Sequence, residues 1–165
     1  MIWEDLNKDI IIFQSDANSS DEVFEKMGGI LVEKGYCKES YIQALKDREK
    51  DYPTGLNVKG FGIAIPHTDP PHVIHETESL LTLKKPVRFI QMGSLDVPVD
   101  VKLVMMLTIK NPKEHIMKLQ RIIEIIQDKD LLEAIYQSTD ADQVIHLIKE
   151  KELSIENRSS NNCEK

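Results

Sequence analysis

Three histidines, His67, His72 and His75, stand close together in the stretch GFGIAIPHTDPPHVIH. An imidazole can ligate a metal, exchange a proton near neutral pH, or attack as a nucleophile through its free ring nitrogen. His67 differs from the other two because it directly follows the apolar run GIAIP. Pro66 has no N–H to offer a sheet, so strand pairing should end there and leave His67 at the carboxyl end of the strand. Ligand sites of open α/β sheets gather at this edge, which favours a functional role for His67.

A metal site is one alternative for these histidines, since His67, His72 and His75 could converge on one ion. Their spacing matches no familiar zinc pattern, and the segment HETE is not the H-E-x-x-H motif. Pro70 and Pro71 also stiffen the intervening loop. We therefore expect no metal site, and nothing in the sequence calls for another cofactor.

Other nucleophiles are poorly supported. The chain has no G-x-S-x-G stretch, which disfavours a serine hydrolase of that type. Its two cysteines, Cys37 between predicted helices and Cys163 in a polar terminal stretch, are not in a C-x-x-C spacing and predict no disulfide framework. Cys37 has no predicted activating partner, so we expect it to be structural.

Arg48 is a charged residue on the apolar side of a predicted helix. In KESYIQALKDREKD, the residues Tyr41, Ala44 and Leu45 form an apolar stripe. At about 100° per residue, Arg48 falls on that same side. Its guanidinium should therefore point inward near the helix end. Two interpretations stay open: a functional cation, or an arginine that bonds the last helical carbonyls or extends its head to water.

His115 likewise shares an apolar stripe, with Leu119, Ile122 and Ile126 of the segment NPKEHIMKLQRIIEIIQD. It also lies in the first turns of this predicted helix, where free N–H groups and the helix dipole favour an anion and resist protonation of the imidazole. The alternative is a histidine at the edge of the core satisfied by one hydrogen bond. His146, by contrast, falls opposite the apolar stripe of its own segment and should be exposed.

Hydrophobic periodicity and capping residues predict the elements that position these side chains. SSDEVFEKMGGILVEKG predicts an amphipathic helix ended by Gly35, and the Arg48 helix follows before the break YPTGL. FGIAI, SLLTL and VDVKLVMMLTI predict strands. The last is continuously apolar from Val101 to Leu107, so both of its faces should be buried. It should therefore be a central strand.

Helices dominate the rest of the chain. Asn111 and Pro112 predict a strong start for the His115 helix, with Ile116 and Ile123 also on its buried side. LLEAIY predicts a short helix, and a capping box from Thr139 to Asp142 should open the last one. Helices, then strands, then helices indicate a sandwiched α/β or α+β fold. We expect a single domain over 1–153 and a polar, disordered tail over 154–165.

Composition narrows the functional classes. The 165 residues are 41% hydrophobic and 30% charged, with a formal net charge of -7. No apolar run approaches the ~20 residues that cross a bilayer, and the start MIWEDLNKDIIIF lacks a secretory pattern. The acidic balance disfavours nucleic-acid binding and suits a basic protein partner. We expect a cytoplasmic protein without direct membrane insertion.

Three motifs together, ALKDREKDYPTGL, GIAIPHT and NPKEHIMKL, are similar to the phosphotransferase-system (PTS) IIA domains of the mannitol/fructose class. The resemblance spans about residues 5 to 150. REKDYPTGL ahead of AIPH, with the free-standing size, most resembles the galactitol-type IIA subunits. The resemblance implies a mixed central β-sheet sandwiched by helices.

The same resemblance implies a phosphotransferase, in which His67 is phosphorylated, His115 is its active-site neighbour and Arg48 faces the phosphate. The implied partners are the histidine phosphocarrier protein HPr as donor and a cysteine of a IIB component as acceptor. Through IIB the chain would serve a membrane IIC permease in sugar or polyol uptake. A regulatory IIA-like module that acts by phosphorylation-dependent protein contact is the alternative function.

The chain departs from the commonest motif by having Thr68 and Asp69 after His67, where glycine is frequent. Asp69 adds a negative charge near an incoming phosphate, so it either weakens phosphorylation or points away. His72 and His75 match no functional position of the family and should be loop or surface residues. Thr54 could bond near the site or serve only the turn YPTG.

Overall fold

The computed structural model describes residues 1–162. The helices are α1 (Ile2–Asp5), α2 (Ser20–Glu33), α3 (Tyr41–Asp51), α4 (Pro112–Ile126), α5 (Lys129–Gln137) and α6 (Ala141–Asn162). The strands are β1 (Leu6–Ser15), β2 (Gly55–Val58), β3 (Phe61–Ala64), β4 (Thr77–Ile90) and β5 (Pro98–Thr108). A short 3-10 turn covers Pro70–His72. Cys163 and the rest of 163–165 lie outside the described residues.

The five strands form one mixed sheet in the order β1-β4-β5-β3-β2. β5 pairs antiparallel with β4 and parallel with β3, which makes it the central strand, as its continuous apolar run predicts. β1 pairs parallel with β4, and β2 pairs antiparallel with β3. The sequence analysis did not identify β1 or β2 as strands. β1 has an irregular burial pattern with register shifts, and β2 has only four residues, so neither gives a clear alternation.

Helices cover both faces of the sheet, which confirms the predicted fold class. Side chains of a strand alternate between faces, so β5 sends Leu103 and Met105 into one core and Val104 and Met106 into the other. The first core is completed by α1, α4, α5 and α6, and the second by α2 and α3. Arg48 and His115 therefore approach the sheet from opposite faces. No helix within residues 1–162 combines the length and apolar character that crossing a membrane requires.

Several predicted helix boundaries are confirmed. The Ser19 side chain accepts a hydrogen bond from the Glu22 N–H at 3.1 Å and opens α2, and Gly35 follows this helix with φ of 82°. Asn111 accepts from the Lys113 N–H at 3.0 Å and opens α4. The sequence signals at these ends were local, so they did not depend on the tertiary structure.

Three predictions need correction. Ile116 is 63% exposed, because the first turns of α4 are largely exposed, and Ile125, which lies outside the predicted stripe, is buried near the end of the helix. The cap of α6 is Asp140, whose carboxylate accepts from the Asp142 N–H at 2.8 Å, and not Thr139. The expected disordered tail is helical as far as Asn162, and only 163–165 fall outside the described residues.

The extension of α6 has identifiable supports despite its polar composition. Ile155 packs against the first core, and Glu156 forms an ion pair with Arg121 of α4. Contacts with α4 therefore add to a helical propensity that the composition alone did not reveal.

Candidate functional site

His67 lies on a backbone segment that is held to the sheet on both sides. β3 ends at Ala64, yet the Ile65 N–H donates to the Thr54 carbonyl at 3.2 Å and the Leu107 N–H donates to the Pro66 carbonyl at 3.1 Å. These bonds carry the sheet connection up to the residue before His67. Pro66 therefore removes only the one N–H donor that it lacks, and the backbone bonds on either side of that position are still formed.

Close strand packing helps to place this segment. A Cβ built on Gly62 would overlap the carbonyl oxygen of Asp100, so only glycine lets β3 approach β5 at this point. Leu107 of β5 has a second role, since its carbonyl accepts from the Tyr41 hydroxyl at 3.1 Å. One residue of the central strand therefore fixes both the His67 segment and α3, which carries Arg48.

The His67 ring has a defined tautomer. Its Nδ1 lies 2.9 Å from the Ile65 carbonyl oxygen, and a carbonyl can only accept, so Nδ1 carries the proton. Nε2 then keeps its lone pair. The side chain is only 7% exposed, which is more burial than a position at the sheet edge predicts. Access to the ring is therefore narrow.

Burial and neighbouring charges keep this ring neutral. Burial is the largest cause that lowers the pKa of His67. The repulsion that would arise if His115 were protonated as well, and then the charge of Arg48, lower it further. The bond to Ile65 and the charge of Asp69 oppose them without reversing the shift. The nucleophilic form of the imidazole is therefore the dominant one at neutral pH.

The structure brings His115 against His67. The two ring centroids are 4.9 Å apart at an interplanar angle of 72°, an edge-to-face arrangement. His115 lies in the first turns of α4, and its own N–H donates to the Asn111 carbonyl. Burial, followed by the charge of Arg48, lowers the pKa of His115. It therefore stands beside His67 as a second neutral, half-buried imidazole.

Arg48, in the last turn of α3, completes the group. Its Nη1 donates to Asp69 Oδ1 at 2.9 Å, and the guanidinium carbon lies 5.1 Å from the centre of the Tyr52 ring. Within residues 1–162 it makes no hydrogen bond to the carbonyls of α3, and its buried Nε has no partner. The interpretation of Arg48 as a helix-end cap is therefore wrong.

Glu49, the partly buried residue next to Arg48, has a role that the sequence analysis missed. Both the N–H and the hydroxyl of Thr54 donate to its carboxylate at 2.9 Å. Burial raises the pKa of Glu49 to about 7, although the Thr54 bonds lower it. Thr54 thus stabilises the turn after α3. The sequence signal that could have predicted this contact was an acidic residue at the end of the helix, close to the YPTG turn.

The remaining candidates are separated from His67. His72 Nδ1 lies 2.8 Å from the Ser40 hydroxyl, and His75 is exposed. Among residues 1–162 no three His, Cys, Asp or Glu side chains are grouped so as to hold a metal ion. Cys37 is buried in the second core, where burial raises the pKa of its thiol to about 12, and His146 is exposed as predicted. Neither joins the site.

The arrangement supports one kind of chemistry. A neutral imidazole with a free Nε2 can attack an electrophile, and a guanidinium and a second imidazole beside it can stabilise an anionic group held there. Because the chain has a net charge of -7, the attraction of the Arg48 guanidinium for an anion is local.

Comparison with known proteins gives consistent relatives. The galactitol-specific EIIA component of Escherichia coli (strain K12) is 31% identical over 116 residues, which are 69% of this chain and 75% of that protein. The mannitol-specific IIA component of Staphylococcus aureus (strain Mu50) is 33% identical over 147 residues, 87% of this chain and 94% of that protein. The structure of the Escherichia coli complex of enzyme IIAMTL with phosphorylated enzyme IIBMTL has a similar chain, with a TM-score of 0.72 and 26% identity, covering 87% of this chain and 96% of that one.

A family match covers most of the chain. Residues 4–151 match the family described as "Phosphoenolpyruvate-dependent sugar phosphotransferase system, EIIA 2", close to the span of 5 to 150 that the motifs indicated. Such a component is a phosphotransferase protein that carries phosphoryl groups. The chain therefore belongs to the EIIA 2 family of the phosphoenolpyruvate-dependent sugar phosphotransferase system.

Proposed function

We propose that the chain accepts a phosphoryl group from phosphorylated HPr on His67 Nε2 and passes it to a cysteine of a IIB component. The observation that carries the proposal is the Nδ1–H bond to Ile65, which leaves Nε2 as the free nucleophile beside His115. Membership of the EIIA 2 family supports the phosphocarrier role.

The transfer is a balanced exchange at phosphorus. The Nε2 lone pair forms a P–N bond as the bond to the donor's imidazole breaks, and the donor nitrogen keeps that electron pair. Afterwards a cysteine thiolate attacks the same phosphorus, and Nε2 recovers its lone pair. Positioning and charge stabilisation suffice for such transfers, so Arg48 and His115 serve as the groups that hold the phosphoryl oxygens. Neither half of the exchange calls for a cofactor.

The acceptor and the cargo are inferred from relatives. One similar structure is a IIA in complex with phosphorylated IIB, which supports a IIB partner and, through it, a membrane IIC permease. Relatives named for galactitol and for mannitol support a polyol, and we propose a galactitol-like polyol or sugar. The chain would meet these partners in the cytoplasm.

The test is a phosphoryl-transfer assay with the full chain. Phosphorylated HPr is added to the wild type, to His67→Ala and to His75→Ala, the last being a matched control from the same loop, and the modified residue is mapped by mass spectrometry. We expect labelling of wild type and control on His67 and none of His67→Ala. Labelling of another residue would contradict the assignment.

A second stage separates transport from regulation. Purified IIB is added to the labelled protein, with a variant IIB that lacks the acceptor cysteine as control. Movement of the phosphoryl group to the cysteine supports the transport role. If it stays on His67 with every IIB protein of the same organism, the regulatory alternative is favoured.

A further inference from the structure

The Arg48 guanidinium is already bound to a carboxylate two residues beyond His67. Arg48 Nη1 donates to Asp69 Oδ1 at 2.9 Å. Within residues 1–162, neither side chain forms an ion pair with any other residue. The Asp69 side chain is 71% exposed and that of Arg48 is 25% exposed. The acid is thus the more exposed partner, and the guanidinium is the more buried one.

Two further features limit which part of the Arg48 guanidinium can bind an anion. The guanidinium lies over the Tyr52 ring, and its Nε is buried. The Nη end that holds Asp69 is therefore the end that remains for an anion. A carboxylate and a phosphoryl group present similar oxygens to a guanidinium, so the two would compete for it.

We propose that Asp69 is a positioning residue that holds Arg48 in the unphosphorylated protein and releases it to the phosphoryl group on His67. This inference rests on the proposed function. Releasing the carboxylate breaks the ion pair that Arg48 makes with Asp69 in the unphosphorylated protein. Asp69 thereby destabilises the phosphorylated form relative to the free form and promotes onward transfer.

The charges that face His67 agree with such an exchange. Arg48, His115 and Asp69 all act electrostatically on the His67 ring, the first two with one sign and Asp69 with the other. Asp69 and Arg48 also both line an open groove of about 420 Å³ beside the site, together with Thr68 and Tyr52. The groove therefore leaves open space beside the carboxylate and the guanidinium.

The experiment measures the equilibrium of phosphoryl exchange with HPr for wild type, Asp69→Asn, Arg48→Ala and the double variant. Asp51→Asn is the matched control, since Asp51 lines the same groove without an ion pair in residues 1–162. We expect Asp69→Asn to shift the equilibrium toward the phosphorylated protein by about 3- to 10-fold, as for loss of one partly exposed charge pair. Asp51→Asn should shift the exchange equilibrium by less than twofold. Asp69→Glu, which keeps the carboxylate, should have the same equilibrium as the wild type.

The double variant decides the mechanism. If Asp69 acts through Arg48, the effect of Asp69→Asn disappears in the Arg48→Ala background. An effect that persists there means that Asp69 merely repels the phosphoryl group, which overturns the proposal, as does an equilibrium that Asp69→Asn leaves unchanged.

A donor-independent arm separates this inference from the proposed function. Phosphoramidate can transfer its phosphoryl group to an imidazole nitrogen with release of ammonia, and the decay of the labelled His67 is then followed in the same variants. Slower decay in Asp69→Asn, by a similar factor and only with Arg48 present, supports the inference even if HPr is not the donor. If neither donor labels His67, both proposals are overturned.

Discussion

Two groups of ionisable side chains meet at α4 and differ in the charged residues that surround His115 in one group and Lys118 in the other. Around His115 the neighbours are His67, Arg48 and a single acid, Asp69. Three residues further along, Lys118 meets three acids, with contacts of 3.1 Å to Asp5, 3.3 Å to Glu76 and 4.0 Å to Glu78. We call these the histidine group and the Lys118 group.

In each group, a shift in pKa keeps a buried or partly buried ionisable side chain uncharged. In the histidine group, burial and cationic neighbours lower the pKa of both imidazoles. In the Lys118 group, burial raises the pKa of Glu78 to about 8 in spite of the charge of Lys118. Glu78 is 1% exposed, and neither of its carboxylate oxygens has a hydrogen-bond partner within residues 1–162.

Burial of an ionisable group serves chemistry in the histidine group and costs stability in the Lys118 group. A neutral imidazole retains a lone pair that can react, whereas a protonated carboxyl group in the core only avoids an uncompensated charge. Changes in the first group should therefore alter transfer, and changes in the second should alter folding.

The largest effect should come from Arg48→Ala. Removing a preorganised cation from the phosphoryl oxygens should slow labelling of His67 by about 10²- to 10³-fold. The melting temperature should change little, because the guanidinium forms a single ion pair, with the exposed side chain of Asp69. Transfer kinetics and thermal unfolding measured together, with Lys46→Ala on the same helix as control, check this. A normal rate with a large loss of stability would return Arg48 to a structural role.

Glu78→Gln should change the pH dependence of stability. The folded protein raises the pKa of Glu78 from 4.5 to about 8, so it binds more protons than the unfolded chain between these values. The free energy of unfolding should therefore fall as pH rises through that window, by an amount on the order of 5 kcal/mol. Glutamine should remove the Glu78 part of the slope in denaturant unfolding between pH 5 and pH 8.5, whereas the part from Glu49, whose pKa is raised to about 7, should remain.

Glu76→Gln is the matched control for that measurement. Its carboxylate accepts from the Lys110 and Asn111 N–H groups. Although partial burial raises the pKa of Glu76, these bonds and Lys118 lower it overall, so it titrates below the window. Its replacement should leave the slope from pH 5 to pH 8.5 in place. Equal slopes in wild type and Glu78→Gln would show that Glu78 is ionised throughout.

His115→Ala should have a moderate effect. It removes one hydrogen-bonding group beside the phosphoryl oxygens while His67 and Arg48 remain, so transfer should fall by about tenfold and stay measurable. Single-turnover labelling with His146→Ala as an exposed control checks this. A rate equal to that of the wild type would show that His115 only packs against His67.

The smallest effect should appear on titration of His67. Because the folded protein lowers the pKa of His67, its ring should stay neutral as pH falls through 6.5 and become protonated only below it. The corresponding stability contribution should be lost as pH falls further, since the unfolded chain then binds the proton more readily. NMR titration of the ring measures this directly, and a midpoint above 6.5 would contradict the described surroundings of the ring.

The helices that frame the site were largely predictable from sequence, for local reasons. Asn111, Pro112 and the apolar stripe set the start of α4, and counting along α3 placed Arg48 on its buried side. The resemblance of three motifs then joined His67, His115 and Arg48, and the structure places the two imidazoles 4.9 Å apart. Their roles in transfer stay predictions.

What sequence reasoning missed depends on contacts between distant segments. Asp69 was recognised as an unusual charge, but its pairing with Arg48 spans 21 positions and is set by the approach of two elements. Glu78 stands at the start of β4, and only the packing of α4 and α1 over that strand reveals its burial. The exposure of Ile116 likewise follows from how α4 meets the sheet.

The backbone bonds on both sides of Pro66 have a kinetic consequence for the proposed exchange. Since the Ile65 N–H and the Pro66 carbonyl tie the chain to its neighbours, the imidazole cannot travel to meet a partner. With only 7% of the residue exposed, the donor and the acceptor must use the same opening in turn. An excess of either protein would then exclude the other, so flux would pass through a maximum as the ratio of the two partners is varied.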